Sequence, residues 1–191
     1  MQTKDHLRLG KYLIDNVEDN FISESTMLKL AFLWGNIQPD INCFTYFHGF
    51  MKYKDMRGHN FKNMKSVMKR LFKLMEKPSR NIMWYYRLGK LMHYLADSFT
   101  YPHNDEFLGD LKHHVVYEEE LHQKFDVIIS NIKGEKLEQE LIDDLWYRVK
   151  DVHREYIESR RNQTDDLKYI VDVTSKIFSI LSKNENTAQL V

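Results

Sequence analysis

Apolar positions recur along this chain at three- and four-residue spacings, the period of an amphipathic helix. Leu7, Leu9, Leu13, Ile14 and Val17 approximate one face of a helix over 3–20, with Thr3 placed to cap it. Met27, Leu28, Leu30, Ala31, Phe32 and Leu33 fill a second helix over 23–34, opened by Ser23 or Ser25. Gly35-Asn36 is expected to end it, and Gln38-Pro39-Asp40 reads as a break. Residues 41–58 lose the period and carry Phe44, Tyr46, Phe47, Phe50 and Tyr53, consistent with a packed loop or a short helix. Asn60 is placed to cap a helix reaching about 76, closed by Lys77-Pro78-Ser79. A helix over roughly 80–99 stops at Tyr101-Pro102, and another runs from about 110 to 131, before Gly134. A charge-laced helix over 136–160 turns Leu137, Leu141, Leu145, Val149 and Val152 inward. Thr164 is placed to cap a last helix over 165–182, and the polar tail 184–191 is expected to fray. No repeat, linker or low-complexity segment interrupts the series. The pattern predicts an all-α protein, one compact multi-helix bundle over residues 1–183.

Composition narrows this further. With 191 residues, 42% apolar and 13% aromatic, the chain can bury a sizeable core. Only 7 Gly and 3 Pro argue against a many-stranded β fold, which needs frequent turns. The 28 basic and 28 acidic residues cancel, which excludes a strongly basic nucleic-acid binder but not a local patch. The single Cys43 excludes an internal disulfide framework and a thiolate-based zinc site. No stretch is apolar enough to span a bilayer. Met1-Gln2-Thr3-Lys4-Asp5-His6 lacks the apolar core of a signal peptide, so a cytoplasmic location is expected.

The candidate chemistry lies in the 9 His and their spacing. His93 and Asp97 are four apart on one helix and leave the same face; His114 and Glu118 repeat that spacing on the next helix. His103 lies between them, just past Pro102, and Asp40 sits at the Pro39 break. Imidazoles and carboxylates without thiolates are a donor set for zinc or another divalent cation. One such pair is a weak signal, since most are solvated or structural. Two pairs with a third His between them, within 26 residues of apolar helix, are a stronger one. Asp97 is flanked by Leu95, Ala96 and Phe99, where a carboxylate must be paired or bound to a cation.

The remaining candidates read as structural. His113 adjoins His114 but points about 100° away on a helix. His122 shares the His114 and Glu118 face and could stand behind those ligands, though a surface position is the simpler reading, while His153 reads as solvated on a charged helix. Trp34, Trp84 and Trp146 read as core. Lys62, Lys65, Lys69, Arg70 and Lys73 form a solvated face, which could also meet anionic lipid or a polynucleotide.

The stretch from Tyr86 to Asn104 resembles the signature of zinc-dependent bacterial phospholipase C. That signature runs Leu-Gly, a short gap, His, three residues, Asp, then Pro-His; here Leu88-Gly89, His93, Asp97 and Pro102-His103 stand in those places. His114 through Glu118 resembles the family's next element. Pro39-Asp40 resembles its Pro-Asp, and His6-Leu7 followed by Ile14-Asp15 its N-terminal His and trailing helix. The wider superfamily includes the single-strand-specific zinc nucleases of fungi and plants.

The resemblance implies an α-helical bundle around two or three zinc ions. By position, His93, Asp97 and Asp40 would share a first zinc with one upstream His. His59, in the turn Gly58-His59-Asn60, is favoured over His48, in the aromatic run Tyr46-Phe47-His48-Gly49-Phe50. His103, His114 and Glu118 would hold a second zinc. Asp97, His6 and the α-amino group of Met1 would hold a third; the bulky Gln2 favours retention of Met1. The implied activity is phosphodiester hydrolysis, most simply that of a phospholipase C, with Asp40 orienting or deprotonating the attacking water. The implied substrate is a phospholipid or other phosphodiester, with peripheral membrane contact possible and no obligate protein partner. The alternatives are a single-strand nuclease, for which nucleic acid would be the substrate, and a non-catalytic metal-binding helical domain.

Overall fold

The computed structural model describes residues 1–16, 19–41, 60–131, 145–160 and 162–183, apart from the side chain of Asn20. These form eight α-helices and one short 3-10 turn, and no strand occurs among the described residues. The helices are α1 (Thr3–Asn16), α2 (Asn20–Glu24), α3 (Thr26–Ile41), α4 (Phe61–Met75), α5 (Ile82–Ser98), α6 (Leu111–Asn131), α7 (Leu145–Ser159) and α8 (Gln163–Lys183). The 3-10 turn, Tyr101–His103, follows α5. The all-α expectation holds. The tail 184–191, residues 42–58 of the aromatic segment and the start of the helix expected at 136 lie outside the described residues.

Helix α5 is the axis of the molecule. From Trp84 to Ser98 it is buried on nearly every side, as expected for a helix that is apolar all round. The other helices are amphipathic and turn one face towards it or towards each other: Leu9 and Leu13 from α1, Phe32 from α3, Met68 from α4, Phe125 from α6, Tyr156 from α7 and Phe178 from α8.

The closest pairing is between α3 and α5, and it rests on two glycines. A Cβ on Gly35 would stand 2.1 Å from the Tyr86 carbonyl oxygen, and one on Gly89 would stand 2.1 Å from that of Phe32. Gly35 therefore does not end a helix, as the sequence pattern suggests; it lets two backbones touch. The burial won there outweighs glycine's helix cost of about 1 kcal/mol. Helix α3 continues through Pro39 to Ile41, so Asp40 stands on a helix rather than in a break.

Caps explain most helix starts. Asn60 accepts from the amides of Lys62 and Asn63, as expected, and Asn81 accepts from that of Trp84. Asp19 caps the short α2, which the apolar pattern does not reveal, and also accepts from the Tyr85 hydroxyl. Two cap assignments are corrected. Thr3 lies inside α1 and donates its hydroxyl to Asp40. The first amides of α8 are met by the Asn162 side chain, not that of Thr164.

Trp84 and Trp146 are core residues, whereas Trp34 is half-exposed on α3. The basic residues of α4 face solvent as expected. Among the described residues no helix is long and apolar enough to cross a membrane.

Candidate metal centre

The site begins in the C-terminal half of α5. His93 and Asp97 lie one helical turn apart and are essentially inaccessible to solvent. The backbone carbonyl of Asn36, brought close by the Gly35–Gly89 contact, accepts from His93 Nδ1 at 2.7 Å. That bond aims Nε2 at Asp97 Oδ2, 3.2 Å away, and at Asp40 Oδ1, 3.6 Å away. Asp40 stands one turn beyond Asn36 on α3, and its other oxygen accepts from the Thr3 hydroxyl at 2.8 Å. His6, from α1, stacks on His93 with ring centroids 3.9 Å apart and places Nε2 3.1 Å from Asp97 Oδ1. One donor atom from each of His6, Asp40, His93 and Asp97 lies within 4.8 Å of the others.

His103, His114 and Glu118 form a second group, their donor atoms also within 4.8 Å of one another. The 3-10 turn supplies His103, and successive turns of α6 supply the other two. Glu118 Oε1 is 3.1 Å from Nε2 of both imidazoles. Asp97 joins the groups, with its Oδ1 3.8 Å from His103 Nε2. The α-amino nitrogen of Met1 lies between them, 3.0 Å from Asp97 Oδ1, 2.9 Å from His103 Nε2 and 2.6 Å from Glu118 Oε1. The family resemblance puts this amine beside His6 and Asp97; the structure places it against Asp97 and the second group. His59 and its alternative His48 lie outside the described residues.

Among the described residues, the electrostatics follow from burial and from imidazoles and an amine rather than from lysine or arginine side chains. Burial alone would raise the pKa of Asp97, but His103, the amine, His6 and His93 hold it well below the carboxylate range. Glu118 is lowered in the same way by the amine and by His103 and His114. Burial lowers His6, and His93 lowers it further; for His93 the nearby Asp97 overrides burial and raises it. Burial would lower the Met1 amine, yet Asp97 and Glu118 raise it to about 11.

The donor set fits a metal. Asp97 Oδ2 is buried and accepts no hydrogen bond, despite its approach to His93. Among the described residues, no lysine or arginine pairs with Asp40, Asp97 or Glu118. Three carboxylates facing imidazoles and an amine are a donor set that a divalent cation would satisfy. Mixed nitrogen and oxygen donors suit zinc.

Three supporting features were not evident from the sequence. His122, read as surface, is mostly buried and lies 2.6 Å from Oδ1 of the buried Asp5. Arg8 approaches the same His122 nitrogen at 3.3 Å, but the shorter carboxylate contact places the proton on Nδ1. His153, read as solvated, is buried and stacked on Phe61; its Nε2 donates to Asn104 Oδ1 at 2.8 Å. Burial, aided by Lys65, lowers its pKa to about 4. Asp166, fully buried on α8, accepts from the Tyr101 amide, Tyr117, Tyr156 and Arg160. It thus fastens both carriers of the second group, the 3-10 turn and α6, to the C-terminal helices. By contrast, His113 is exposed and bonded to Asp110, as its position off the ligand face implies.

A family model described as zinc-dependent phospholipase C matches residues 5–172 of the 191-residue chain, a span that holds every side chain of both donor groups. No curated protein and no solved structure matches it. Family match, helical architecture and thiolate-free donor set agree, and the chain belongs to the zinc-dependent phospholipase C family.

Proposed function

We propose that this chain, acting as one domain over residues 1–183, is a zinc-dependent phospholipase C. In this reading one zinc is held by His6, Asp40, His93 and Asp97, with the upstream His59 or His48 as a further donor. A second is held by His103, His114 and Glu118, and the Met1 amine offers a donor for a third. Asp97 carries the reading, because a single buried carboxylate touches donors of both groups. Zinc bound there supplies Lewis acidity towards the phosphoryl oxygens and lowers the pKa of a bound water to around 7.

The chain's own residues do the rest. His6, His93 and Asp97 form the dry floor, while Asp40, His114 and Glu118 retain 13%, 27% and 16% of their side-chain exposure. Substrate therefore approaches from the side of those three. Asp40, held by the Thr3 hydroxyl through one oxygen, uses the other to orient the water and take its proton. The water oxygen bonds to phosphorus as the bond from phosphorus to the glycerol oxygen breaks. The products are diacylglycerol and a phosphorylated head group, the glycerol oxygen taking up a proton.

Hydrolysis of monomeric short-chain phospholipids tests this. The expected result is release of diacylglycerol, lost on chelation, restored by zinc, and reduced at least a hundredfold in Asp40→Asn. Cleavage of single-stranded DNA in preference to phospholipid would transfer the reading to the nuclease branch. Zinc-loaded protein inactive on both would make it a metal-binding domain without catalysis.

A further inference from the structure

The loop before α6 displays leucines where a soluble enzyme would ordinarily bury them. Leu108 is 94% exposed, Leu111 77% and Val115 58%. The display is built rather than loose. The neighbouring Phe107 ring turns inward, edge-on to Tyr101 at 5.5 Å and to His114 at 6.2 Å. Gly109 allows the fold-back, since a Cβ there would stand 2.4 Å from that ring. The Tyr101 hydroxyl donates to the Glu106 carbonyl, and Asp110 caps α6 through the His113 amide. Phe107 thus anchors the loop while Leu108 projects from it.

The position of these side chains relative to the donors gives the feature its meaning. On α6, Leu111, His114 and Glu118 follow one another along one face, with Val115 beside them. The apolar rim continues the helix face that carries the more accessible members of the second donor group. A protein partner or a second copy seated on this rim would cover His114 and Glu118. A lipid surface brings the phosphodiester with it, because side chains inserted among acyl chains set the donors at head-group depth.

We propose that Leu108, Leu111 and Val115 form the surface by which this enzyme docks on a phospholipid bilayer, with the second donor group facing the head groups. The inference rests on the phospholipase reading. The partner is the lipid surface itself.

The test compares wild type with Leu108→Ser/Leu111→Ser, neither residue being a donor, in two measurements. The first is co-sedimentation with vesicles of mixed phosphatidylcholine, phosphatidylethanolamine and phosphatidylglycerol. The second is hydrolysis of those vesicles against monomeric short-chain analogues of the same lipids. Loss of two leucines from the apolar phase should weaken vesicle partitioning about a hundredfold. Hydrolysis of vesicles should fall in step, while hydrolysis of monomers stays within about twofold. Leu108→Trp should strengthen partitioning and show a blue-shifted emission on vesicle addition. Equal vesicle binding by wild type and the double variant would overturn the proposal, as would equal losses on vesicles and monomers. So would a change from dimer to monomer with vesicle binding unaltered. If the phospholipase reading alone failed, neither substrate would be cleaved, yet the difference in vesicle binding would remain.

Discussion

Replacing Gly89 by alanine separates two helices whose contact builds the first donor group. The new Cβ would stand 2.1 Å from the Phe32 carbonyl oxygen, 2.9 Å from the Asn36 nitrogen and 3.0 Å from Gly35 Cα. Ordinary contact begins at 3.4 Å, so α3 and α5 must part by more than 1 Å. All three obstacles are backbone, and no rotamer change relieves them. Overpacking of this kind costs about 1–3 kcal/mol, and the backbone obstacles put it at the upper end. Alanine's better helix propensity returns about 1 kcal/mol. A net loss of about 2 kcal/mol lowers Tm by roughly 4–8 °C in a chain of this size.

The separation also reaches the donors. The Asn36 carbonyl moves away from His93 Nδ1, a bond now 2.7 Å long, and Asp40 moves away from His93 Nε2. Zinc content should therefore fall along with Tm. Gly10→Ala is the control, because there the near atoms are side-chain ends, Leu33 Cδ2 at 3.0 Å and Asn36 Nδ2 at 3.2 Å, which can shift. Calorimetry and elemental analysis of both variants decide the matter. A Gly89→Ala protein that melts within about a degree of wild type and keeps its zinc would refute the reasoning.

Asp97→Asn keeps the volume of the carboxylate shared by both groups but halves its accepting oxygens; elemental analysis should show zinc lost from both, and phospholipid hydrolysis should fall at least a hundredfold. His153, with its pKa lowered to about 4 from 6.5, favours folding in its neutral form. That contribution, up to about 3 kcal/mol, is whole above pH 6.5 and is lost as pH falls towards 4. Over that range, the Tm of His153→Gln should fall less steeply than that of wild type. Asp166→Asn replaces one oxygen of a fully buried acceptor facing Tyr101, Tyr117, Tyr156 and Arg160. Stability should drop by about 2–4 kcal/mol in denaturant titration, with zinc lost more readily from the group containing His103.

Much of the fold was legible because helices declare themselves locally. The helix over roughly 80–99 was marked by its apolar run and by the stop at Tyr101-Pro102, and Asn60 marked the start of α4. The donor pairs His93–Asp97 and His114–Glu118 were legible for the same reason, since a four-residue spacing on a helix is a spatial fact. Helix α3 was cut short because Gly35 and Pro39 carry the same signal whether they end a helix or sit inside one. Only the α5 backbone against Gly35 distinguishes the two cases. The roles of His122, His153 and Asp166 were not fixed by the sequence because their partners Asp5, Asn104 and Tyr101 lie 117, 49 and 65 residues away.

The donor site and the core are one construction. Helix α5 is buried because it is apolar, and it carries His93 and Asp97 into the interior with it. A carboxylate there is tolerable only if cations face it. Among the described residues, the structure answers Asp97 with imidazoles from α1, α5 and the 3-10 turn and with the Met1 amine, but with no lysine or arginine. Proton-bearing groups can leave that role to a metal by giving up a proton, which a guanidinium side chain cannot do near neutral pH. Among the described residues, the groups facing Asp97 are of the first kind, able to exchange a proton for a metal. The same exchange makes zinc binding a contribution to folding, since the ion holds together elements that the chain would otherwise join through shared protons.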